Sequence, residues 1–306
     1  MTIHRLIGSS DLSGLRLHLR SRGCEPARMP VLMVHGATYA SPLFDLAVPG
    51  ASWLAALEGA GLAAYALDVR GYGRSTMPQA PDAPFARMAE AGRDIADAMA
   101  WIAARHGRTP ALLGGSWGSI TTAAWVAGGG EAAALVLYAP IFAARNEGWL
   151  DLLGEGGALR DWGPTRAVTL EATRARWDAE MPPGADWREE AVLRDLWAQS
   201  IADQGRPADA PAFEAPNGTH IDLWEAMNGR PLYDPGAVRC PTLLIRGGAD
   251  PTSTRADALG LMDRLAARER RYVEIANGAH FVSAERRAPQ VFAATNAFLR
   301  EMTAAS

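Results

Sequence analysis

Short apolar runs, each bounded by glycine, proline or other turn residues, recur along the chain. The first four of these runs occupy residues 30–34, 64–68, 111–113 and 134–138. Apolar runs of this length are typical of strands that are buried on both faces. The opening segment, residues 3–21, is instead polar and interrupted by glycine, which predicts a β-hairpin.

Segments with helical periodicity follow the apolar runs. The clearest spans residues 87–106, where apolar side chains recur every three or four positions opposite a charged face, and Gly107 follows as a terminator. Shorter helices are predicted over residues 51–58 and from Trp117 onward. Because parallel strands need a crossover connection, this alternation predicts an α/β fold with a mostly parallel sheet and helices on both faces.

The alternation of strands and helices stops at Pro140 and resumes only near the carboxyl terminus. Two further strands and a closing helix are predicted at residues 242–245, 271–275 and 289–302. The intervening segment, 141–234, is helical in tendency, rich in loops and holds six of the ten tryptophans. We therefore predict a core domain, 1–140 and 235–306, that is interrupted by a helical cap domain, 141–234.

Composition excludes several classes of protein. The chain has 306 residues and is 48% hydrophobic, enough for one large α/β domain with an insertion. Its net charge of −4 is small and of the wrong sign for nucleic-acid binding. No segment approaches the roughly 20 apolar residues of a membrane span, and the absence of a signal-like start predicts a cytoplasmic protein. Cys24 and Cys240 are too few for a disulfide scaffold and lack metal-ligand spacing.

Residues 114–118 match the pattern G-x-S-x-G, with Ser116 at the centre. The pattern follows an apolar strand and opens an apolar helix, which is the context of a nucleophile held on a tight strand-to-helix turn. Small residues suit such a turn because its backbone is strained and closely packed. We therefore predict Ser116 as a catalytic nucleophile. The alternative is a serine that only caps the helix.

A serine nucleophile needs a base to accept its proton and a third group to orient that base. His280 lies in a short loop after the last predicted strand, and Asp250 lies in the loop after the preceding one. Open α/β sheets hold their sites at such strand ends, so we predict His280 as the base and Asp250 as the orienting acid. Asp222 and Asp234 are rival acids, but neither follows a strand. Four other histidines are interpreted as surface or packing residues, namely His4, His18, His106 and His220.

The loop after the first buried strand is the candidate oxyanion loop. Gly36 allows its backbone to turn so that an amide faces the nucleophile. We predict that the backbone N–H groups of Ala37 and Trp117 form an oxyanion hole, in which each donor typically stabilises the transition state by roughly 3–4 kcal/mol. The other interpretation is an ordinary turn between strand and helix. Three residues are predicted to line the substrate pocket, namely Thr38, Tyr39 and Trp177.

Together these segments resemble the α/β-hydrolase superfamily over nearly the whole chain. The matching segments are residues 35–36, 68–75, 114–118, 248–250 and 278–280. The resemblance implies a twisted, mostly parallel eight-stranded sheet, a cap after the sixth strand, and structural roles for Asp68 and Arg70. It also implies hydrolysis by serine, aspartate and histidine in that chain order, with no metal or organic cofactor. The string Gly-Gly-Ser-Trp-Gly-Ser is similar to proline iminopeptidases, which carry His-Gly-Gly-Pro-Gly where this chain has His-Gly-Ala-Thr-Tyr.

The predicted cap suggests a substrate class through its composition. It holds 17 acidic residues and nine arginines, a net charge of −8. We expect this charge to repel anions and admit neutral or cationic substrates, while the tryptophans offer apolar surface. The predicted function is serine-dependent cleavage of a carboxylic ester or lactone in a bulky, mainly apolar small molecule, such as a macrolide lactone or an aromatic or alkyl ester.

Alternatives to this function stay open at this point. Cofactor-free haloperoxidases and C–C bond hydrolases, which the chain also resembles, share the same serine, aspartate and histidine. An aminopeptidase of the proline iminopeptidase type would need a cap acid to bind the free amine, and Asp178 and Glu180 beside Trp177 are the candidates. A hydrolase-like fold also serves in some proteins as a non-catalytic ligand receptor. Neither a nucleic acid nor a membrane is expected as a partner.

Overall fold

The computed structural model describes residues 1–23, 29–77 and 81–304. Cys24 lies outside the described residues, and Cys240 is a half-buried free cysteine. The described strands are β1 (Ile3–Gly8), β2 (Arg16–Arg22), β3 (Pro30–Val34), β4 (Ala63–Asp68), β5 (Ala111–Gly115), β6 (Leu135–Tyr138), β7 (Gly154–Glu155), β8 (Ala158–Leu159), β9 (Thr165–Thr169), β10 (Ala212–Pro216), β11 (Thr242–Gly247) and β12 (Arg270–Ile275).

The described helices are α1 (Trp53–Gly59), α2 (Met88–His106), α3 (Trp117–Ala127), α4 (Glu147–Leu153), α5 (Leu170–Glu180), α6 (Glu190–Asp203), α7 (Gly218–Met227), α8 (Arg255–Arg264) and α9 (Ala288–Ala304). Local sequence fixes several helix ends. The Ser52 side chain accepts a hydrogen bond from the backbone of Ala55 at the start of α1, and Gly107 ends α2 in a left-handed conformation with φ 65°. Within the described ranges, no helix combines the length and the apolarity that crossing a membrane requires.

Eight of the described strands form one sheet in the order β1-β2-β4-β3-β5-β6-β11-β12. β1 and β2 form the predicted antiparallel hairpin, and β2 also pairs antiparallel with β4. All other neighbours in the sheet pair parallel. The prediction of a mostly parallel, eight-stranded α/β sheet is therefore confirmed.

The buried strands send alternate side chains to opposite faces of the sheet. Leu32 and Val34 of β3 join the hydrophobic cluster of α2 and α3, whereas Val31 and Met33 join the cluster of α1 and α9. Helices cover both faces, so neither face of these strands meets water. This double burial explains why the strands appear in the sequence as continuous apolar runs rather than as an alternating pattern.

Asp68 and Arg70, at the end of β4, are buried and bonded to neighbouring elements. Asp68 Oδ2 lies 2.7 Å from His18 Nδ1, and Asp68 Oδ1 accepts a hydrogen bond of 2.8 Å from the backbone of Ser41. Arg70 Nη2 lies 2.6 Å from Asp94 Oδ1. These bonds tie the end of β4 to β2 and α2, which is a structural role.

Between β6 and β11 the chain leaves the sheet; we call residues 141–234 the insertion. Helices α4 to α7 agree with its predicted helical character, but two small antiparallel sheets, β7–β8 and β9–β10, are not predicted from the sequence. Their strands are only two to five residues long, too short for a period of two to stand out. Asp203 of α6 joins the insertion to the core through ion pairs of 2.6 Å with both Arg20 and Arg74.

The parallel strands all end at one edge of the sheet, and the candidate residues follow those ends. Ser116 follows β5, Asp250 follows β11, His280 follows β12 and Gly36 follows β3. From the neighbouring strands β3 and β5 the chain continues to opposite sides, to β4 and to β6. A crevice forms where strand order reverses in this way, and open α/β sheets bind ligands there.

Candidate active site

Ser116 occupies the sharp turn between β5 and α3 with φ 55° and ψ −121°. A non-glycine residue in this region is strained, and the surroundings must hold it in place. The backbone N–H of Ser116 donates to the carbonyl of Tyr138 at 2.9 Å, and its carbonyl accepts from the backbone N–H of Ser119 at 2.8 Å. The Ser116 side chain makes no capping hydrogen bond to the helix, which argues against the capping alternative.

Two glycines let the backbone close around this turn. A Cβ at Gly118 would lie 2.5 Å from the carbonyl oxygens of both Val34 and His35. A Cβ at Gly36 would lie 3.1 Å from the Cβ of Ser116. The first glycine therefore allows α3 to pack directly on the end of β3, and the second lets the candidate oxyanion loop lie against Ser116.

The structure brings Ser116, His280 and Asp250 together in one chain of hydrogen bonds. His280 Nε2 lies 3.0 Å from Ser116 Oγ, and His280 Nδ1 lies 2.9 Å from Asp250 Oδ2. The second Asp250 oxygen, Oδ1, accepts from the backbone N–H groups of Thr252 at 2.8 Å and Ser253 at 2.9 Å. These bonds fix the carboxylate so that it orients the imidazole, as a serine nucleophile requires.

The environment of His280 suits a general base. Burial alone disfavours the charged imidazole, but the charge and hydrogen bond of Asp250 outweigh it and raise the pKa of His280 above its ordinary value. The Asp250 carboxylate accepts the hydrogen on Nδ1, which leaves the lone pair of Nε2 facing the serine hydroxyl. This tautomer is assigned from the hydrogen-bond network.

Two further carboxyl groups lie near the histidine. Glu180 of α5 is buried, pairs with Arg176 at 2.6 Å, and accepts from Thr252 Oγ1 at 3.2 Å. Glu285 accepts from Ala279 N at 2.9 Å, and burial raises its pKa to about 7. Glu180, Asp250 and His280 offer atoms within 4.8 Å of one another. Their oxygens already accept protein hydrogen bonds and Arg176 supplies a cation, so this cluster does not fit a metal ligand set.

His35 orients the candidate oxyanion loop, and sequence reasoning missed its contacts. Its Nδ1 lies 2.7 Å from the carbonyl oxygen of Gly36, and its Nε2 accepts from the backbone N–H of Val69 at 3.2 Å. Burial lowers the pKa of His35, so the imidazole is neutral and can fill both roles. A trans peptide points its N–H away from its C=O. Holding the Gly36 carbonyl therefore turns the Ala37 N–H away from His35.

The predicted oxyanion donors thus belong to backbone that is held firmly beside Ser116. The Ala37 carbonyl accepts from Tyr72 Oη at 2.7 Å and from Arg166 Nη2 at 2.5 Å. Trp117 is the first residue of α3, and the first N–H groups of a helix have no intrahelical partner. Arg166 belongs to β9 of the insertion, so an inserted residue supports a loop of the core.

A cavity of about 470 Å³ lies over Ser116 and His280. This volume is in the range of pockets that bind small molecules, about 300–1,000 Å³. Much of its wall is apolar and aromatic, with contributions from Trp149, Leu152, Trp162, Val168 and Phe281. Four of these five residues belong to the insertion, which therefore forms a large part of the cavity wall.

The three predicted pocket residues do not all line this cavity. Thr38 and Tyr39 line it, and burial raises the pKa of Tyr39 to about 12, so the phenol stays neutral. The prediction for Trp177 is wrong, because this side chain is fully buried away from the cavity. Its Nε1 donates to Glu285 at 3.2 Å, and its ring packs on Phe281 with centroids 4.8 Å apart.

Charged and titratable side chains of the cavity wall also differ from the sequence prediction. Arg166, Arg176 and His220 line the cavity, and among the described residues no aspartate or glutamate does. The net charge of the insertion therefore does not describe the surface that a substrate meets. His220, interpreted from the sequence as a packing residue, is a wall residue, and burial together with the two arginines lowers its pKa to about 2.

The rival acids serve other purposes. Asp222 accepts from Trp117 Nε1 at 3.0 Å and from Arg87 Nε at 2.7 Å, which links α7 to the core. Asp234 caps a short helical turn through the backbone of Gly236, and Asp178 is an exposed partner of Arg188. Three of the histidines interpreted as structural do not line the cavity, namely His4, His18 and His106.

Comparisons with known proteins agree with this architecture. Residues 31–295 match the α/β-hydrolase family. The structure is similar to an esterase from Exiguobacterium antarcticum (TM-score 0.69, 16% identity, covering 96% of this chain and 98% of that chain). It is also similar to a bromoperoxidase from Bacillus anthracis (TM-score 0.70, 16% identity, 97% and 100%) and to epoxide hydrolase A from Mycobacterium thermoresistibile (TM-score 0.67, 18% identity, 98% and 98%). No curated protein matches the chain by sequence.

The sequence identities between this chain and these structural relatives are 15–19%. At this level the likeness shows a shared fold, and the reaction of a relative is not transferred to this chain. The family match, in contrast, is made on the sequence and spans residues 31–295, most of the chain. The eight-stranded, mostly parallel sheet and the strained serine turn after β5 agree with it. The chain belongs to the α/β-hydrolase family.

Proposed function

We propose that this protein is a serine esterase that hydrolyses carboxylic esters of bulky, mainly apolar small molecules. The observation that carries the proposal is the hydrogen-bonded chain from Ser116 through His280 to Asp250 beneath a largely apolar cavity. A hydroxyl, an imidazole and a carboxylate in this order form the arrangement that activates serine for attack on an acyl group.

In the first half of the proposed reaction, Ser116 Oγ attacks the ester carbonyl carbon while His280 Nε2 accepts the hydroxyl proton. The Asp250 carboxylate stabilises the imidazolium through Nδ1. The negative charge that develops on the carbonyl oxygen is bound by the backbone N–H groups of Ala37 and Trp117. The tetrahedral intermediate collapses, His280 returns the proton to the departing alkoxide, and the alcohol leaves behind an acyl-enzyme.

In the second half, a water molecule occupies the position of the departed alcohol. His280 accepts a proton from this water as its oxygen attacks the acyl carbon of the Ser116 ester. The second tetrahedral intermediate then breaks its bond to Ser116 Oγ, which takes the proton back from His280. The carboxylic acid is released, and no step draws on any group besides the protein and water.

The cavity supports a narrower substrate class than the sequence does. Its aromatic wall suits an aryl or alkyl group, and its volume of about 470 Å³ accommodates a substrate of drug-like size. Arg166 and Arg176 in the wall make a cationic substrate unfavourable, which reverses the expectation drawn from net charge. Lactones would follow the same two steps, with the alcohol remaining attached to the acyl group.

Two of the alternatives receive less support. An aminopeptidase needs a carboxylate that faces the cavity to bind a free amine, whereas Glu180 is engaged by Arg176 and Asp178 is exposed on another face of α5. A non-catalytic receptor has no use for the strained serine turn, which costs of order 1–3 kcal/mol and aims Ser116 at His280.

The deciding experiment compares the wild type with Ser116→Ala on 4-nitrophenyl esters and proline 4-nitroanilide. We expect hydrolysis of the esters and a loss of about 10⁴-fold or more in kcat for the variant, as found when a serine nucleophile is removed. The control is Ser200→Ala, because the Ser200 hydroxyl bonds the Leu196 carbonyl within α6, and full activity is expected. Near-normal turnover by Ser116→Ala, or hydrolysis of the anilide alone, contradicts the proposal.

A further inference from the structure

The insertion is strongly acidic, yet the charged side chains that it contributes to the cavity wall are positive. The insertion carries 17 acidic residues and nine arginines. Among the described residues, however, two of those arginines line the cavity and none of those acids does. Such a distribution is the reverse of what random placement on a net −8 segment gives, and it places two cationic side chains in the cavity wall.

Arg166 is a cation without an anionic partner among the described residues. Its four hydrogen bonds go to neutral acceptors, namely the carbonyls of Ala37 and Pro216, the Asn217 side-chain oxygen and Thr38 Oγ1. Withdrawal from water lowers its pKa from the ordinary value. Arg166 is half-buried, and a charged group that is partly removed from water is destabilising unless a charge of opposite sign compensates it. A ligand anion in the cavity would supply that charge.

Arg176 supplies a hydrogen-bond donor for such an anion. Its Nε and Nη2 both donate to one Glu180 oxygen, at 3.0 and 2.6 Å, while Nη1 donates to none of the described residues. The guanidinium lies over the Trp149 ring, 4.4 Å from the centroid. Stacking and the paired bonds to Glu180 fix the plane of the guanidinium, so Nη1 is preorganised in the cavity wall.

His220 is an independent indicator of the same subsite. Its ring packs against Trp162, with centroids 4.5 Å apart, and it lines the cavity. The residue is more than nine-tenths buried, and its Nδ1 has no hydrogen-bond partner among the described residues. Burial together with the charges of Arg166 and Arg176 lowers its pKa to about 2, so the imidazole is neutral. A neutral imidazole is free to donate one hydrogen bond to an anion.

We propose that Arg166, Arg176 and His220 form a carboxylate-binding subsite, and that the substrates of this enzyme are esters that carry a free carboxylate. The inference rests on the proposed serine esterase activity, since it concerns the same cavity. Arg166 contributes charge, Arg176 contributes a planar donor, and the aromatic wall receives the apolar part. Monoesters of dicarboxylic acids, with the ester carbonyl at Ser116 and the carboxylate at the arginines, have this chemistry.

The test compares matched esters that differ in charge alone. The anionic members are the mono-4-nitrophenyl esters of succinic, glutaric and adipic acid. In the neutral members an isopropyl group replaces the carboxylate, and in one cationic member a trimethylammonium group does. For the wild type we expect kcat/KM to favour an anionic member over its neutral match by at least about tenfold, because a hydrogen bond to a charged group contributes that much. High salt should reduce this ratio.

The informative variant is Arg176→Gln, and the readout is the anionic-to-neutral ratio of kcat/KM. Loss of the charge next to Glu180 also alters His280, but that effect applies to both esters and cancels in the ratio. We expect the ratio to fall by about tenfold and to be partly restored in Arg176→Lys. The matched control is Arg174→Gln on the same helix, which has the same side-chain exposure of 33% but pairs with Glu190 outside the cavity.

The outcomes separate this inference from the proposed function. If neutral esters are hydrolysed with no preference for an anionic member at any length, or if Arg176→Gln lowers both rates equally, the subsite is wrong and the esterase stands. If no ester is hydrolysed, the esterase proposal fails, and binding decides the subsite. Calorimetry with the Ser116→Ala protein should then show phenylacetate bound more tightly than phenylacetamide, with the difference lost on adding Arg176→Gln. Equal affinities would overturn the subsite.

Discussion

His280 illustrates how much a single residue depends on neighbours that the sequence does not reveal. Its position after β12 and its bond to Asp250 could be predicted, because both residues lie in loops at strand ends. The position of Glu180 could not be predicted, because it approaches the histidine from α5 of the insertion. One of its carboxylate oxygens lies within 4.8 Å of a His280 ring nitrogen. Burial lowers the pKa of His280, and the negative charge of Glu180 adds to that of Asp250 in raising the pKa above its ordinary value.

The pH dependence of the reaction tests this arrangement. His280 acts as a base only when neutral, so a raised pKa moves the acid limb of the kcat/KM profile to higher pH. In Glu180→Gln the negative charge is lost and Arg176 is left without its partner, and both changes favour the neutral imidazole. We therefore expect the midpoint of the acid limb to move to lower pH in this variant.

A suitable control is Asp178→Asn, which removes an exposed carboxylate from the same helix, where it pairs with Arg188. Its profile should coincide with that of the wild type. A midpoint that stays in place or rises in Glu180→Gln would show that this carboxylate does not act on His280. The profiles are measured as kcat/KM for a neutral ester, because this quantity reports the pKa of the free enzyme.

At the scale of elements, the buried strands could be predicted from the sequence, whereas the face that helix α5 turns toward the cavity could not. The apolar runs of β3 to β6 stand out because both faces of these strands are buried. Helix α5 instead has charged residues around most of its circumference. Arg176 and Trp177 are adjacent in sequence, yet one lines the cavity and the other is fully buried. The packing of Trp177 on Phe281 fixes the orientation of the helix, and with it which side chain lines the cavity. No local sequence pattern encodes this tertiary contact.

The contact of α3 with β3 gives a prediction about elements. In Gly118→Ala, the new Cβ would lie 2.5 Å from the carbonyl oxygens of Val34 and His35. Backbone acceptors cannot rotate away, so α3 must shift and carry Ser116 and the Trp117 N–H with it. We expect a loss of about 1–3 kcal/mol in the free energy of unfolding, typical of overpacking, together with a lower kcat.

Denaturant unfolding and ester hydrolysis measure these two effects. The control substitution is Gly260→Ala in α8, where an added Cβ meets open space. Because alanine favours a helix over glycine, this control should gain up to about 1 kcal/mol and keep its activity. A Gly118→Ala protein as stable and active as the wild type would mean that the close approach of α3 to β3 is not needed.

At the scale of the whole molecule, two of the contacts between the insertion and the core differ in what they do. Asp203 pairs with Arg20 and Arg74 at one side of the sheet, in ion pairs of 2.6 Å. Arg166, on β9, bonds the carbonyl of Ala37 in the oxyanion loop. The first contact fastens the insertion, whereas the second couples it to the reaction. The sequence predicted neither contact. For Arg166 the reason is that β9 and β10 carry no recognisable strand pattern, although their pairing sets the position of Arg166.

Coupling of this kind predicts that Arg166→Gln impairs catalysis even where substrate charge plays no part. With a neutral ester the carboxylate subsite is irrelevant, so a loss in kcat reports the oxyanion loop alone. Tyr72 still holds the Ala37 carbonyl at 2.7 Å, and we therefore expect a loss of about tenfold, less than the 10²–10³ that removal of a donor costs. Arg74→Gln removes the half-exposed one of the two ion pairs of Asp203, which is worth about 1 kcal/mol or less, and should leave kcat unchanged. If both variants affected kcat equally, the insertion would act on the core only by being attached to it, and Arg166 would have no particular link to the oxyanion.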